Sequence, residues 1–208
     1  MELLWVLLGL GATHLVAVMS PGPSFLVVAR TAVGTSRTAA AWTALGMGFG
    51  TIVWAVAALA GLKLLFASVP ALYTLLKIAG AAYLIYLAIM LWRHASDPFD
   101  AGHGAATPLN QTRGGAIRRG FLTQMSNPKP AIFFGSIFIT LVPPDAGPLF
   151  YALIVPLVFV NEAGWYLAVA MALSTRRLQA AYARAKPILD RGAGTLLAGL
   201  SARLVLDR

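Results

Sequence analysis

Apolar residues run along this chain in blocks of about twenty, separated by short polar connections. The blocks span roughly 3–31, 38–62, 70–92, 116–142, 147–172 and 188–206. Coiled as a helix, each can cross a hydrocarbon core of about 30 Å. A lipid-embedded span must satisfy its own backbone hydrogen bonds, which an α-helix does. The pattern predicts an all-α membrane protein of about six transmembrane helices, with almost nothing left for a soluble domain. The opening MELLWVLLGLGATHLVAVMS is read as a retained first helix rather than a signal peptide. Its only early charge is Glu2, and no clear cleavage site precedes the next apolar block.

Two blocks are interrupted at matching places. HLVAVMSPGPSFLVVARTAVG (14–34) carries Pro21-Gly22-Pro23, and LTQMSNPKPAIFFGSIFITLV (122–142) carries Asn127-Pro128-Lys129-Pro130, each just after Met-Ser. Proline removes a backbone N–H and clashes with the preceding turn, and glycine loosens the helix further. A lone proline often does no more than kink a membrane helix. Two matched breaks near mid-block point instead to a cavity, where freed backbone groups find partners. Ser24 can cap the half-helix after Pro23, leaving the Phe25 and Leu26 N–H groups at a positive dipole end suited to a carboxylate. Asn127 offers a carboxamide at the second break. Ser126 and Gln124 add polar groups that read equally well as interhelical glue.

The breaks belong to a wider two-fold repeat. MSPGP (19–23) answers MSNPKP (125–130), and GTIVWAVAALA (50–60) answers NEAGWYLAVAMA (161–172), pairing Trp54 with Trp165. The division predicted is a first three-helix repeat over 1–92, a cytoplasmic loop over 93–115 and a second three-helix repeat over 116–208. Three spans per half is an odd number, so the second copy lies upside down, with broken helices 1 and 4 facing each other across a midplane site.

Composition and charge fit that picture. Of 208 residues, 59% are hydrophobic and 11% charged, against roughly 25% charged in soluble domains. The net charge of +9 does not form a nucleic-acid footprint, because the basic residues flank apolar spans. Arg30 and Arg37 follow block one; Arg93, Arg113, Arg118 and Arg119 follow block three; Arg176, Arg177, Arg184 and Lys186 follow block five. The positive-inside rule makes these connections cytoplasmic and turns both termini outward. A five-span reading, favoured by Arg203 and Arg208, would move the C-terminus inside. There is no cysteine, hence no disulfide or thiol chemistry. His94 and His103 lie in the Gly- and Pro-rich linker without a carboxylate cluster, so neither a metal nor a cofactor is expected. The small-residue run AGTLLAG would suit a homodimer contact, although packing within the bundle is the better reading.

Inside the apolar blocks ionisable groups are few. Glu162 lies well within block five, where a carboxyl is costly and by default marks a functional site suited to carrying a proton. Lys129 sits at the second break but can also snorkel to the surface. His14 lies seven residues before Pro21, on roughly the same helix face, and suits a proton relay. Lys77 is near enough to a helix end to reach water. Arg30 reads as a topology charge.

These stretches, with TLLKIAGAAYLIYLAI (74–89), resemble the lysine exporter and homoserine/threonine resistance (LysE/RhtB) superfamily of bacterial amino-acid exporters over nearly the whole chain. His14, Trp54 and Glu162 in their surrounding text resemble its threonine-exporter branch. The resemblance implies a six-helix, multi-pass bacterial inner-membrane exporter driven by the proton gradient and often oligomeric. It makes Pro21, Gly22, Pro23, Asn127, Pro128, Lys129 and Glu162 the functional positions. Ser24 stands where threonine exporters tend to have an acidic residue, Thr51 where many members have one, and Pro130 where a small residue is usual.

The expected function is proton-coupled export of a small neutral amino acid. The substrate carboxylate would sit at the half-helix after Pro23 or against Lys129, and its ammonium would face Glu162. A cationic substrate such as lysine would want a second membrane carboxylate, and none is expected. A passive channel would need no coupling carboxylate and shows no ring of like charges. An intramembrane enzyme would need a metal cluster or a Ser with an oriented base, and Ser24 with His14 lacks the third group.

Overall fold

Proline marks where helices begin. Its fixed φ suits a first helical turn, and its missing N–H costs nothing there. The computed structural model describes residues 2–20, 22–68, 70–97, 112–143 and 146–206. Pro21 and His103 lie outside the described residues, as do the side chains of Lys63, Lys77 and Pro128. Among the described residues the chain is entirely helical: α1 (Glu2–Met19), α2 (Pro23–Gly34), α3 (Arg37–Ser68), α4 (Pro70–Arg93), α5 (Arg113–Ser126), α6 (Pro128–Leu141), α7 (Pro148–Ala172) and α8 (Arg176–Leu206). Four of these open on a proline.

Six apolar blocks thus become eight helices, because blocks one and four each divide. The axes of α1 and α2 differ by 59°, and α5 gives way to α6 at Asn127, whose φ of −86° and ψ of 116° are extended rather than helical. Block six starts earlier than its hydropathy predicts. Helix α8 begins at Arg176, since RRLQAAYARAK is rich in Ala, Arg and Leu, all good helix formers, and Pro187 does not end it. By length and composition alone, Arg37–Gly61 and Pro148–Ala172 can cross a membrane, as can the bent α1–α2 pair if counted as one span. Ile78–Arg93 and Lys129–Phe138 are shorter apolar stretches.

Helix α3 lies along α5 and α7, and α4 along α8 and α6. The α3–α5 crossing is very close. A Cβ on Gly46 would stand 2.0 Å from the Ile117 carbonyl oxygen, and one on Gly120 would stand 2.0 Å from that of Thr43. Hydrogen in place of a side chain therefore lets the two backbones touch. One turn on, Gly50 faces the Cβ of Gln124, which brings Thr51 and Trp54 against the second break. Two apolar clusters flank this region. Leu10, Phe134, Ile137 and Phe150 belong to one, and Phe25, Val28, Met47 and Val169 to the other. Consecutive α1 residues, Ala17 and Val18, belong to different clusters, so α1 passes from one to the other just before it breaks.

Candidate functional site

In a continuous helix the carbonyl of residue i accepts from the N–H of residue i+4. A proline at 21 cannot serve Ala17, and a proline at 128 cannot serve Gln124. Both stranded carbonyls have found other donors. Lys129 Nζ donates to Ala17 O at 2.9 Å and to Ser20 O at 3.2 Å. Gln124 O accepts from Trp54 Nε1 at 3.1 Å and from the Asn127 N–H at 3.2 Å. Asn127 also caps α6, its Oδ1 accepting from the Lys129 N–H at 3.0 Å. The second break therefore supplies the cation that completes the first.

The side chains around the breaks form one connected network. Gln124, 1% exposed, is its hub. Its Nε2 donates to Thr51 Oγ1 and to Glu162 Oε1, both at 2.8 Å. Its Oε1 accepts from Ser24 Oγ at 2.6 Å, and Ser24 in turn accepts from Asn127 Nδ2 at 3.0 Å. The other carboxylate oxygen of Glu162, Oε2, lies 3.4 Å from His14 Nε2. The imidazole is held by stacking on Phe134, with centroids 5.1 Å apart at 29°. Asn161 Nδ2, donating to Gly11 O at 2.8 Å, ties α7 to α1 beside the pair. Glu162 is 4% exposed and His14 2%. Both carboxyl oxygens of Glu162 thus have a polar neighbour, as a group buried this deeply requires.

His14, Gln124, Asn127, Lys129 and Glu162 line a cavity of about 30 Å³, close to the share of one water in the liquid. Gly22 and Pro23 lie apart from it, on a larger cavity of about 530 Å³ that Asn127 and Lys129 also line. Pro128 is the first residue of α6. Of the residues expected at the site, His14, Ser24, Asn127, Lys129 and Glu162 are thus brought together, while Gly22 and Pro23 form a neighbouring wall.

The sequence reading missed the central place of Gln124 and the parts of Thr51 and Tyr166, which lines the small cavity. The signal for Gln124 was a carboxamide one turn before a proline break. It also expected no carboxylate besides Glu162 to be buried, and the structure buries a second. Asp190 is 1% exposed and pairs with Lys186, Oδ2 to Nζ 3.0 Å. Their i, i+4 spacing at the edge of an apolar block was visible in the sequence.

Interrupted apolar helices enclosing a buried, charged and hydrogen-bonded network place the chain in the class of membrane translocators, where irregular backbone lines a polar site. It matches the family described as LysE type translocator over residues 15–208, and it belongs to that family. Among curated proteins, the threonine efflux protein of Salmonella typhimurium is 34% identical over 195 residues, covering 94% of this chain and 95% of its own. The threonine efflux protein of Escherichia coli K12 is 33% identical over 207 residues, covering 99% and 100%. A homoserine/homoserine lactone efflux protein of Salmonella typhi is 32% identical over 127 residues, covering 61% and 60%. No solved structure matches. The family and these relatives are translocators and efflux proteins rather than enzymes.

Proposed function

We propose that this chain exports a small neutral amino acid, threonine- or homoserine-like, from the bacterial cytoplasm across the inner membrane by proton antiport. The observation that carries the reading is the Glu162 carboxylate, buried between Gln124 and His14 within one side chain's reach of Lys129. The printed activities of the threonine efflux relatives support the substrate class. So does the charge balance around the larger cavity, where Asp97 and Asp190 stand against Lys129 and Lys186. A wall with no net charge suits a zwitterion better than a cationic amino acid.

In the mechanism, Glu162 exchanges its proton for the substrate's ammonium, and His14 passes that proton. The substrate carboxylate competes with the Ala17 and Ser20 carbonyls for Lys129. Six spans arranged as two inverted repeats, 1–92 and 116–208 joined by a cytoplasmic loop over 93–115, would rock against each other to give alternating access. The small cavity holds about one water, so a conformation with the site between the breaks collapsed belongs to that cycle.

The test is efflux of labelled threonine from proteoliposomes with and without an imposed proton gradient, for wild type and Glu162→Gln. Gradient-driven efflux that Glu162→Gln abolishes is expected. Equal, gradient-independent leak from both proteins would replace the exporter with a channel. Flux of another amino acid in place of threonine would keep the mechanism and change the substrate.

A further inference from the structure

Lys129 also lines the larger cavity, about 530 Å³, which Glu162 does not line and which is within the range of small-molecule sites. The cavity runs from the first break, at Gly22 and Pro23, to the end of α4 at His94, and α8 closes it with Lys186 and Asp190. Lys186 is fully engaged. Its Nζ donates to His94 O at 2.7 Å and Ala95 O at 3.3 Å while pairing with Asp190 Oδ2 at 3.0 Å. Asp190 is not. Its Oδ1 is buried with no hydrogen-bond partner among the described residues, an expensive arrangement for a carboxylate oxygen. Lys129 lies within the electrostatic reach of both Glu162 and Asp190, and it lines both cavities.

Only one of the two carboxylates has an oxygen without a partner, and its residue lines the larger cavity. The oxygens of Glu162 face Gln124 and His14 beside a space for one water, whereas Asp190, its Oδ1 unpartnered and closed off in this conformation, forms part of the wall of a space large enough for an amino acid. We propose that Asp190 is a substrate-binding residue, and that this cavity is a loading site holding the amino acid before it reaches Glu162. The ammonium group pairs with the Asp190 carboxylate, which turns its unpartnered Oδ1 toward the cavity to meet it. The substrate's own carboxylate lies at the opposite wall, against Lys129 and the positive end of the α2 dipole at Gly22-Pro23. Lys129 then stands between the loading site and the inner carboxylate, and its side chain is the group the substrate carboxylate must draw away from α1 to pass. The proposal rests on the amino-acid exporter reading above and adds a second site to it.

The experiment measures equilibrium binding of labelled L-threonine to the purified full chain in nanodiscs, with the 3-hydroxy acid that is threonine without its amino group as competitor. Wild type, Asp190→Asn and the double variant Asp190→Asn with Lys186→Gln are compared. Loss of a charge-assisted bond to the ammonium should weaken threonine binding by roughly tenfold to a hundredfold in both variants, leaving the hydroxy acid's affinity unchanged. The double variant guards against misfolding, because it leaves no unpaired cation behind. Restored threonine binding in the double variant would make the pair purely structural and overturn the proposal, as would equal loss of both ligands. The chain has no cysteine, so Met90→Cys provides a local readout on the cavity wall. Threonine should slow its maleimide labelling in the wild-type background and fail to do so with Asp190→Asn. If wild type binds neither threonine, homoserine nor leucine, the exporter reading itself fails. If it binds one of them and Asp190→Asn binds it equally, only the loading site fails.

Discussion

The two helix breaks have the same cause and different repairs. At each, a proline four residues on strands a carbonyl, that of Ala17 or of Gln124. Gln124 O is served by the Trp54 indole, a neutral donor on a helix locked against α5 by Gly46, Gly50 and Gly120. Ala17 O is served by the ammonium of Lys129, at the end of a flexible stem reaching over from α6. The tryptophan that answers Trp54 in the sequence repeat is Trp165, and its Nε1 is buried without a partner among the described residues. The second break is thus a finished joint. The first is completed by a cation, and on the export reading proposed above it is the joint that an incoming carboxylate would open.

The sharpest way to break this contrast is Lys129→Met, which keeps much of the stem and removes the charge. Hydrogen bonds from a charged donor contribute about 1.5–3 kcal/mol, and threonine export from proteoliposomes is expected to fall about a hundredfold. Lys129→Arg should retain a measurable part of the activity. Full activity in Lys129→Met would make the lysine a mere plug. A smaller effect, on stability, is expected from Gly46→Ala. The new methyl would meet the Ile117 carbonyl, and overpacking of this kind costs about 1–3 kcal/mol, read as a lower unfolding midpoint in detergent. Trp54→Phe comes next. It deletes one neutral hydrogen bond and should lower stability by about 1 kcal/mol, while export per folded molecule stays within about threefold of wild type. An export loss in Trp54→Phe as deep as that of Lys129→Met would erase the distinction between the joints.

Much of this was legible in the sequence, for reasons that also explain what was not. Proline's missing N–H is a covalent fact, so Pro21 and Pro128 announced both breaks without a structure. A carboxylate in an apolar block is costly enough that Glu162 declared itself. Gln124 did not, because a carboxamide in a membrane helix reads the same whether it is glue or hub, and only the approach of α3 and α7 decides. Asp190 was hidden differently. It falls near the start of the sixth block, beside Lys186, Arg184 and Arg191, where the basic residues read as topology charges and outweigh a single carboxylate. Its burial follows from α4 packing along α8, a contact between segments about a hundred residues apart.

The last prediction concerns a second side chain, besides Lys129, that joins the two breaks directly. Ser24, on α2, donates to Gln124 Oε1 and accepts from Asn127 Nδ2, so its hydroxyl links the first joint to the second. Ser24→Ala takes a partner from Gln124 Oε1 and from Asn127 Nδ2, while Gln124 Nε2 keeps Thr51 and Glu162 and Asn127 Oδ1 keeps the Lys129 N–H. Leaving a buried polar atom unsatisfied costs about 1–3 kcal/mol. If α2 must carry Gln124 and Asn127 with it when the first joint moves, that cost appears in the maximal rate, about fivefold down, while the half-saturating threonine concentration holds. Ser24→Thr, which keeps the hydroxyl, should recover most of the rate. A change confined to the half-saturating concentration would instead place the hydroxyl on the substrate, and no change in either constant would mean that the two breaks work without this link.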